Sequence, residues 1–104
     1  MTQTADTLRK AKDLISNPEN WNKDGEWYKD GNPNSSCMCA YGAVMRVTGV
    51  FTEWPSKKDY SKPLEFASFE LFKDEVVAVN DHPDTTHDDI MALFDRSIEL
   101  AEGE

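Results

Sequence analysis

Apolar residues recur at helical spacing most clearly in residues 81–101, DHPDTTHDDIMALFDRSIELA. At about 100° per residue, Ile90, Leu93, Phe94, Ile98, Leu100 and Ala101 gather on one side. Asp88, Asp95, Glu99 and Glu102 fall within roughly 60° of one another on the other side. The pattern predicts a helix with a core seam and an acidic ridge. Thr85 or Thr86 can cap its start, where Asp88 and Asp89 favour the helix dipole. Its far end is the opposite, because Glu99, Glu102 and Glu104 face the negative pole. Asp95 and Glu99 also form a like-charge pair one turn apart, a contact that opposes folding by roughly 0.2–0.5 kcal/mol.

Upstream, residues 6–15 read as a helix with Leu8, Ala11, Leu14 and Ile15 inside, Thr4 as its cap, and Asn17-Pro18 as its stop. Residues 19–36 are dominated by turn signals, Asp24-Gly25, Asp30-Gly31 and Asn32-Pro33, around Trp21, Trp27 and Tyr28. They predict an irregular aromatic loop or a short β-hairpin about residues 29–33. The segment CMCAYGAVMRV predicts a short central helix ending at Gly49, with Ala40, Gly42 and Ala43 permitting close approach. Residues 51–61 are irregular, with Trp54-Pro55 in a loop. From Ser61 a second amphipathic helix carries Leu64, Phe66, Ala67, Phe69, Leu71 and Phe72, a face broad enough to be buried on more than one side. Val76, Val77 and Val79 suit a short strand or a helical turn into Asn80. The expected architecture is a mostly α, single-domain bundle of about four helices spanning residues 1–104.

Composition changes this picture in three ways. A chain of 104 residues with eleven aromatics can bury one modest core, and no apolar run approaches the roughly twenty residues a bilayer requires. The amino-terminal segment lacks a secretory pattern, so a cytoplasmic location and reduced Cys37 and Cys39 are expected. Most informative is where the net charge of -9 sits. Residues 1–73 carry ten acidic and ten basic side chains, whereas residues 74–104 carry ten acidic ones and only Arg96. A field of that sign repels nucleic-acid phosphates and anionic lipid and attracts basic surfaces.

The segment Cys39-Ala40-Tyr41-Gly42-Ala43, the pair Asn80-Asp81 and the Thr86-led helix, following an amino-terminal helix that ends near Trp21, resemble an uncharacterised family of small bacterial and phage domains. Its pattern is Cys-Ala-x-Gly-Ala, then Trp-Asn-Asp, then a threonine-capped helix rich in leucine. Val79 stands here where that family favours tryptophan, and the hairpin region is shorter. The resemblance implies a mostly helical fold and a bacterial or phage source, and carries no activity.

Four groups of residues could carry chemistry. Cys39 near a helix start could act as a nucleophile, with His82 or His87 as base and Asn80 or Asp81 as orienter; the structural alternative is a small buried residue beside a turn. Cys37, Cys39, His82 and His87 amount to a zinc-like donor set, but a helical Cys-x-Cys points its sulfurs about 200° apart and the usual spacings are absent, so no metal is expected. Calcium is disfavoured in the Asp24–Asp30 loop for want of the twelve-residue pattern. Trp21, Trp27, Tyr28 and Trp54 could form a recognition surface, although core closure is expected to use at least two of them; Trp27 and Tyr28, adjacent and therefore opposed if extended, offer one exposed aromatic. Finally, the ridge of Asp88, Asp95, Glu99 and Glu102 could imitate a row of phosphates and enter a basic groove.

The expected function is thus a non-enzymatic acidic protein, without cofactor, monomeric or homodimeric, that binds a basic surface of a partner through the ridge with Trp27 and Tyr28 beside it. A phage-encoded inhibitor of a host nucleic-acid-binding or defence protein would fit. A cysteine-dependent hydrolase or transferase using Cys39, with His82, His87 and Asp81, is the alternative. The docking idea requires that lysines and arginines from the front of the molecule do not pair with the ridge.

Overall fold

The structure, a computed structural model, describes residues 3–23, 37–48 and 61–103. Five α-helices form among them: α1 (Gln3–Leu14), α2 (Ala40–Thr48), α3 (Ser61–Phe72), α4 (Val76–Asp81) and α5 (His87–Glu102), with a 3-10 turn at Pro18–Asn20. The class is α, with one helix more than expected. The expected hairpin at residues 29–33, together with Trp27, Tyr28 and Trp54, lies outside the described residues.

Helix α5 packs against both α1 and α3, α1 also packs on α2, and α4 packs on α2 and α3. Its start follows from two side chains. The Thr86 hydroxyl accepts from the Asp89 amide at 3.2 Å and the Asp89 carboxylate accepts from the Thr86 amide at 3.0 Å, a reciprocal cap that satisfies two otherwise unpaired donors. Ile90, Leu93, Phe94, Ile98 and Ala101 are buried as the spacing requires, and Ser97 joins them by donating its hydroxyl back to the Leu93 carbonyl at 2.6 Å.

Helix α1 begins earlier than the capping signal suggested, at Gln3, so Thr4 lies within the helix. Its stop is as expected. Asn17 caps the following 3-10 turn by accepting from the Glu19 amide at 3.0 Å, and Pro18, which has no amide hydrogen, opens it. Trp21 and Met38 then form an isolated parallel bridge through Asn22 N to Met38 O and Met38 N to Asn20 O, both 2.8 Å. That bridge holds Cys37, Met38 and Cys39 outside any helix, and α2 starts at Ala40.

Helix α3 departs from expectation. Leu64 and Ala67 are fully buried, but Phe66, Phe69 and Leu71 are 69%, 54% and 44% exposed. Its core face is the narrow stripe through Leu64, Ala67 and Ser68 that meets α5, so it is buried on one side only. Lys73 ends it in the left-handed conformation, φ 63°. The valines after it form α4, and one carboxylate decides that choice. Glu65 accepts from the Val76 amide at 2.9 Å, supplying the cap that Glu75 does not, and Val76 and Val79 bury their side chains at helical spacing.

Candidate functional site

The catalytic ingredients around Cys39 do not assemble. Cys39 is 7% exposed, and burial, with the nearby Asp81 charge adding to it, pushes its thiol up to about 11 despite the Gly42 amide that its sulfur accepts at 3.3 Å. A thiol of that basicity is protonated at neutral pH. Neither imidazole hydrogen-bonds it. His82 Nδ1 accepts from the Asp84 amide at 3.1 Å, and His87 Nε2 bonds the Ile15 carbonyl at 2.7 Å with its ring 6.0 Å from that of Trp21.

Asn80, the proposed orienter, is instead a structural hub. Its Oδ1 accepts from the Trp21 indole at 2.8 Å and from the Ala40 amide at 3.1 Å, while its Nδ2 donates to the Asn22 carbonyl at 3.0 Å and to Asp81 at 3.1 Å. Both acceptor sites and both donors of the amide are therefore in use. Through them α4 closes the start of α2 and pins the segment around Trp21 beside it. Among the described residues no three His, Cys, Asp or Glu side chains converge as a metal donor set.

The ridge along α5 is also different from the file of free carboxylates that docking requires. Lys12 of α1 reaches Asp95 at 2.6 Å, Arg9 of α1 pairs with Glu102, and Arg96 lies 3.7 Å from Glu99 while bonding Glu70 of α3 at 2.8 Å. Of the four ridge residues only Asp88 has no ion pair among the described residues. Asp95 and Glu102 thus join α5 to α1 while Glu99 is paired within α5, each exposed pair adding little to stability by itself.

The carboxylates without basic partners lie earlier. Asp74, Glu75, Asp81, Asp84, Asp88 and Asp89 fall between residues 74 and 89, a stretch with no lysine or arginine, and none of them forms an ion pair among the described residues. The nearby cations are engaged elsewhere. Lys23 donates to the carbonyls of Pro83, at 3.2 Å, and Thr85, and sits 5.6 Å over the Trp21 ring; Lys73 donates to the Glu70 carbonyl at 3.4 Å.

At this corner an open cleft of about 310 Å³ runs between α4 and α5. It is lined by the apolar Phe72, Ala78 and Val79, by the acidic Asp74, Asp84 and Asp89, and by His82 and Thr85. Thr85 is 9% exposed. Its backbone donates to the His82 carbonyl and accepts from Lys23, but its hydroxyl has no hydrogen bond with any described residue. A buried hydroxyl left unpaired costs roughly 1–3 kcal/mol, which a suitably placed ligand group would recover.

Residues 1–100 match the family described as "Family of unknown function (DUF6197)". The chain belongs to that family. No curated protein and no solved structure matches it. Among the described residues of this DUF6197 chain no helix is long and apolar enough to cross a membrane. The charge asymmetry that pointed to residues 74–104 was visible in its sequence; the division between a paired half and an unpaired half was not. Asp74, Asp84 and Thr85 escaped sequence reasoning because no periodic pattern connects the end of α3, the α4–α5 connection and the first turn of α5.

Proposed function

We propose that this protein is a non-enzymatic acidic interaction module that binds a basic surface of a protein partner through the corner between α4 and α5. One observation carries the reading: six carboxylates between residues 74 and 89 have no ion-pair partner among the described residues, while those at 95, 99 and 102 are paired within the chain. Unpaired like charges raise the local potential and steer an oppositely charged surface, whereas paired ones largely cancel at a distance. Asp88 is the ridge residue that the reading keeps. In the bacterial or phage setting suggested by Cys39-Ala40-Tyr41-Gly42-Ala43 and Asn80-Asp81, the partner is a host protein that handles nucleic acid, because such surfaces carry clustered lysine and arginine. The reading based on Cys39 chemistry lacks a base in hydrogen-bonding contact with the thiol.

The test uses a fluorescent, lysine- and arginine-rich peptide as probe. Asp81→Asn, Asp84→Asn and Asp88→Asn together should weaken binding on the order of tenfold or more, and raising salt should abolish it, since exposed charges are screened within about 10 Å at 0.1 M. Neutralising Asp95, Glu99 and Glu102 should change it much less. If the corner variant binds as the unmodified protein does, or the ridge variant accounts for the loss, the reading is wrong.

A further inference from the structure

The geometry points to the α4–α5 cleft as a receptor for a single lysine or arginine side chain of the basic partner. The inference rests on the acidic-corner reading above and adds to it a place and a mode of entry. Four features select the ligand. Asp74, Asp84 and Asp89 in the lining of the cleft disfavour an anion. The positive end of the α5 dipole, which could otherwise recruit one, is already answered by Asp89 in the reciprocal cap with Thr86. Phe72, Ala78 and Val79 in the same lining offer nothing to a compact hydrated ion, but they suit a row of methylenes. Thr85, a cleft-lining residue that is 9% exposed, has a hydroxyl without a hydrogen bond to any described residue, and that hydroxyl can accept from a charged donor that arrives with its own N–H groups.

An aliphatic stem ending in a multi-donor cation satisfies all four. Lysine and arginine side chains have that form, and the corner's unpaired carboxylates would hold the peptide that bears them. The stem lies along the apolar wall and the cationic head meets Asp84, Asp89 and the Thr85 hydroxyl. The contact is a neutral-to-charged hydrogen bond plus ion pairing in a half-enclosed site, stronger than the same pairs on an open surface.

Two variants separate this inference from the reading beneath it. Ala78→Phe fills the cleft and leaves every charge in place; Thr85→Val keeps shape and removes the hydroxyl. Binding of the same lysine- and arginine-rich peptide should fall on the order of tenfold with Ala78→Phe and roughly threefold with Thr85→Val, both at unchanged helix content. In parallel, the blocked tripeptide acetyl-Gly-Lys-Gly-amide should shift the backbone amide resonances of residues 78–85 in the unmodified protein, and the norleucine counterpart should not. A folded Ala78→Phe that binds the peptide normally overturns the cleft and leaves the charged corner standing; loss only on neutralising the corner has the same meaning. Should Ala78→Phe not fold, unchanged binding by Thr85→Val together with resonances that ignore the lysine tripeptide overturns it. Free n-butylammonium binding as tightly as the tripeptide would identify a small amine as the ligand and overturn the peptide assignment.

Discussion

Asn80 illustrates how one side chain can look catalytic and be architectural. In sequence, Asn-Asp followed by histidine suggests an orienting amide beside a base. In the fold, the amide touches Trp21, Asn22, Ala40 and Asp81, three of these contacts running to segments 40 or more residues away. Asn80→Ala removes the acceptor of the buried Ala40 amide and of the part-buried Trp21 indole N–H, together with the donor that reaches the Asn22 carbonyl. The expected loss is about 3 kcal/mol or more, read as a lowered urea midpoint, because each orphaned group costs roughly 1–3 kcal/mol. An effect below about 1 kcal/mol would mean that water replaces those contacts. The nearby Tyr41 shows the same economy of polar groups: its hydroxyl donates to Glu65, whose second oxygen starts α4.

At the scale of elements, periodicity located the helices more reliably than it assigned their faces. Both the acidic ridge and the phenylalanine face were legible as stripes, but a stripe does not reveal its neighbour. Helix α3 presents Leu64 to α5 and Phe66 and Phe69 to solvent, although the wheel alone would bury all three. Leu64→Ala should therefore cost roughly 3 kcal/mol through the cavity it opens, whereas Phe66→Ser and Phe69→Ser should each stay within about 0.5 kcal/mol in the same urea series. Equal losses at Leu64 and Phe66 would show that α3 is covered on both sides. The start of α5 was legible to within one residue, since a threonine followed three residues later by a carboxylate is a local signal requiring no tertiary knowledge.

For the whole molecule, the buried ionisable groups set a direction for pH. Burial raises the Cys39 thiol to about 11, and burial together with the Glu65 hydrogen bond raises the Tyr41 hydroxyl above its ordinary value. A group whose folded pKa is raised lends stability in full below its unfolded pKa, near 8.5 for a thiol and about 10 for a tyrosine, and loses it as pH climbs towards the folded value. Unfolding free energy should hold level from neutrality to about pH 8.5, then fall. By about pH 10.5 the thiol's share of that fall is about 2.5 kcal/mol. Measured across that range, Cys39→Ala should show a shallower decline than the unmodified protein; identical slopes would mean that the thiol is accessible to water. On the acid side the Arg96 hydrogen bonds hold Glu70 below its usual range, so its small, exposed contribution is present above the unfolded pKa and fades as pH drops through the lowered one.

The sequence alone determined the helical class, a threonine cap at residue 85 or 86, the break at Asn17-Pro18 and the asymmetry of charge, because each depends on residues within about one or two turns of one another or on simple counting. Only the tertiary structure decided which charges are free, which face of α3 is covered, and whether Asn80 orients chemistry or holds segments together. Those outcomes depend on contacts between Arg9 and Glu102, Lys12 and Asp95, or Asn80 and Trp21, and such pairs are set by how helices cross rather than by the order in which residues follow one another.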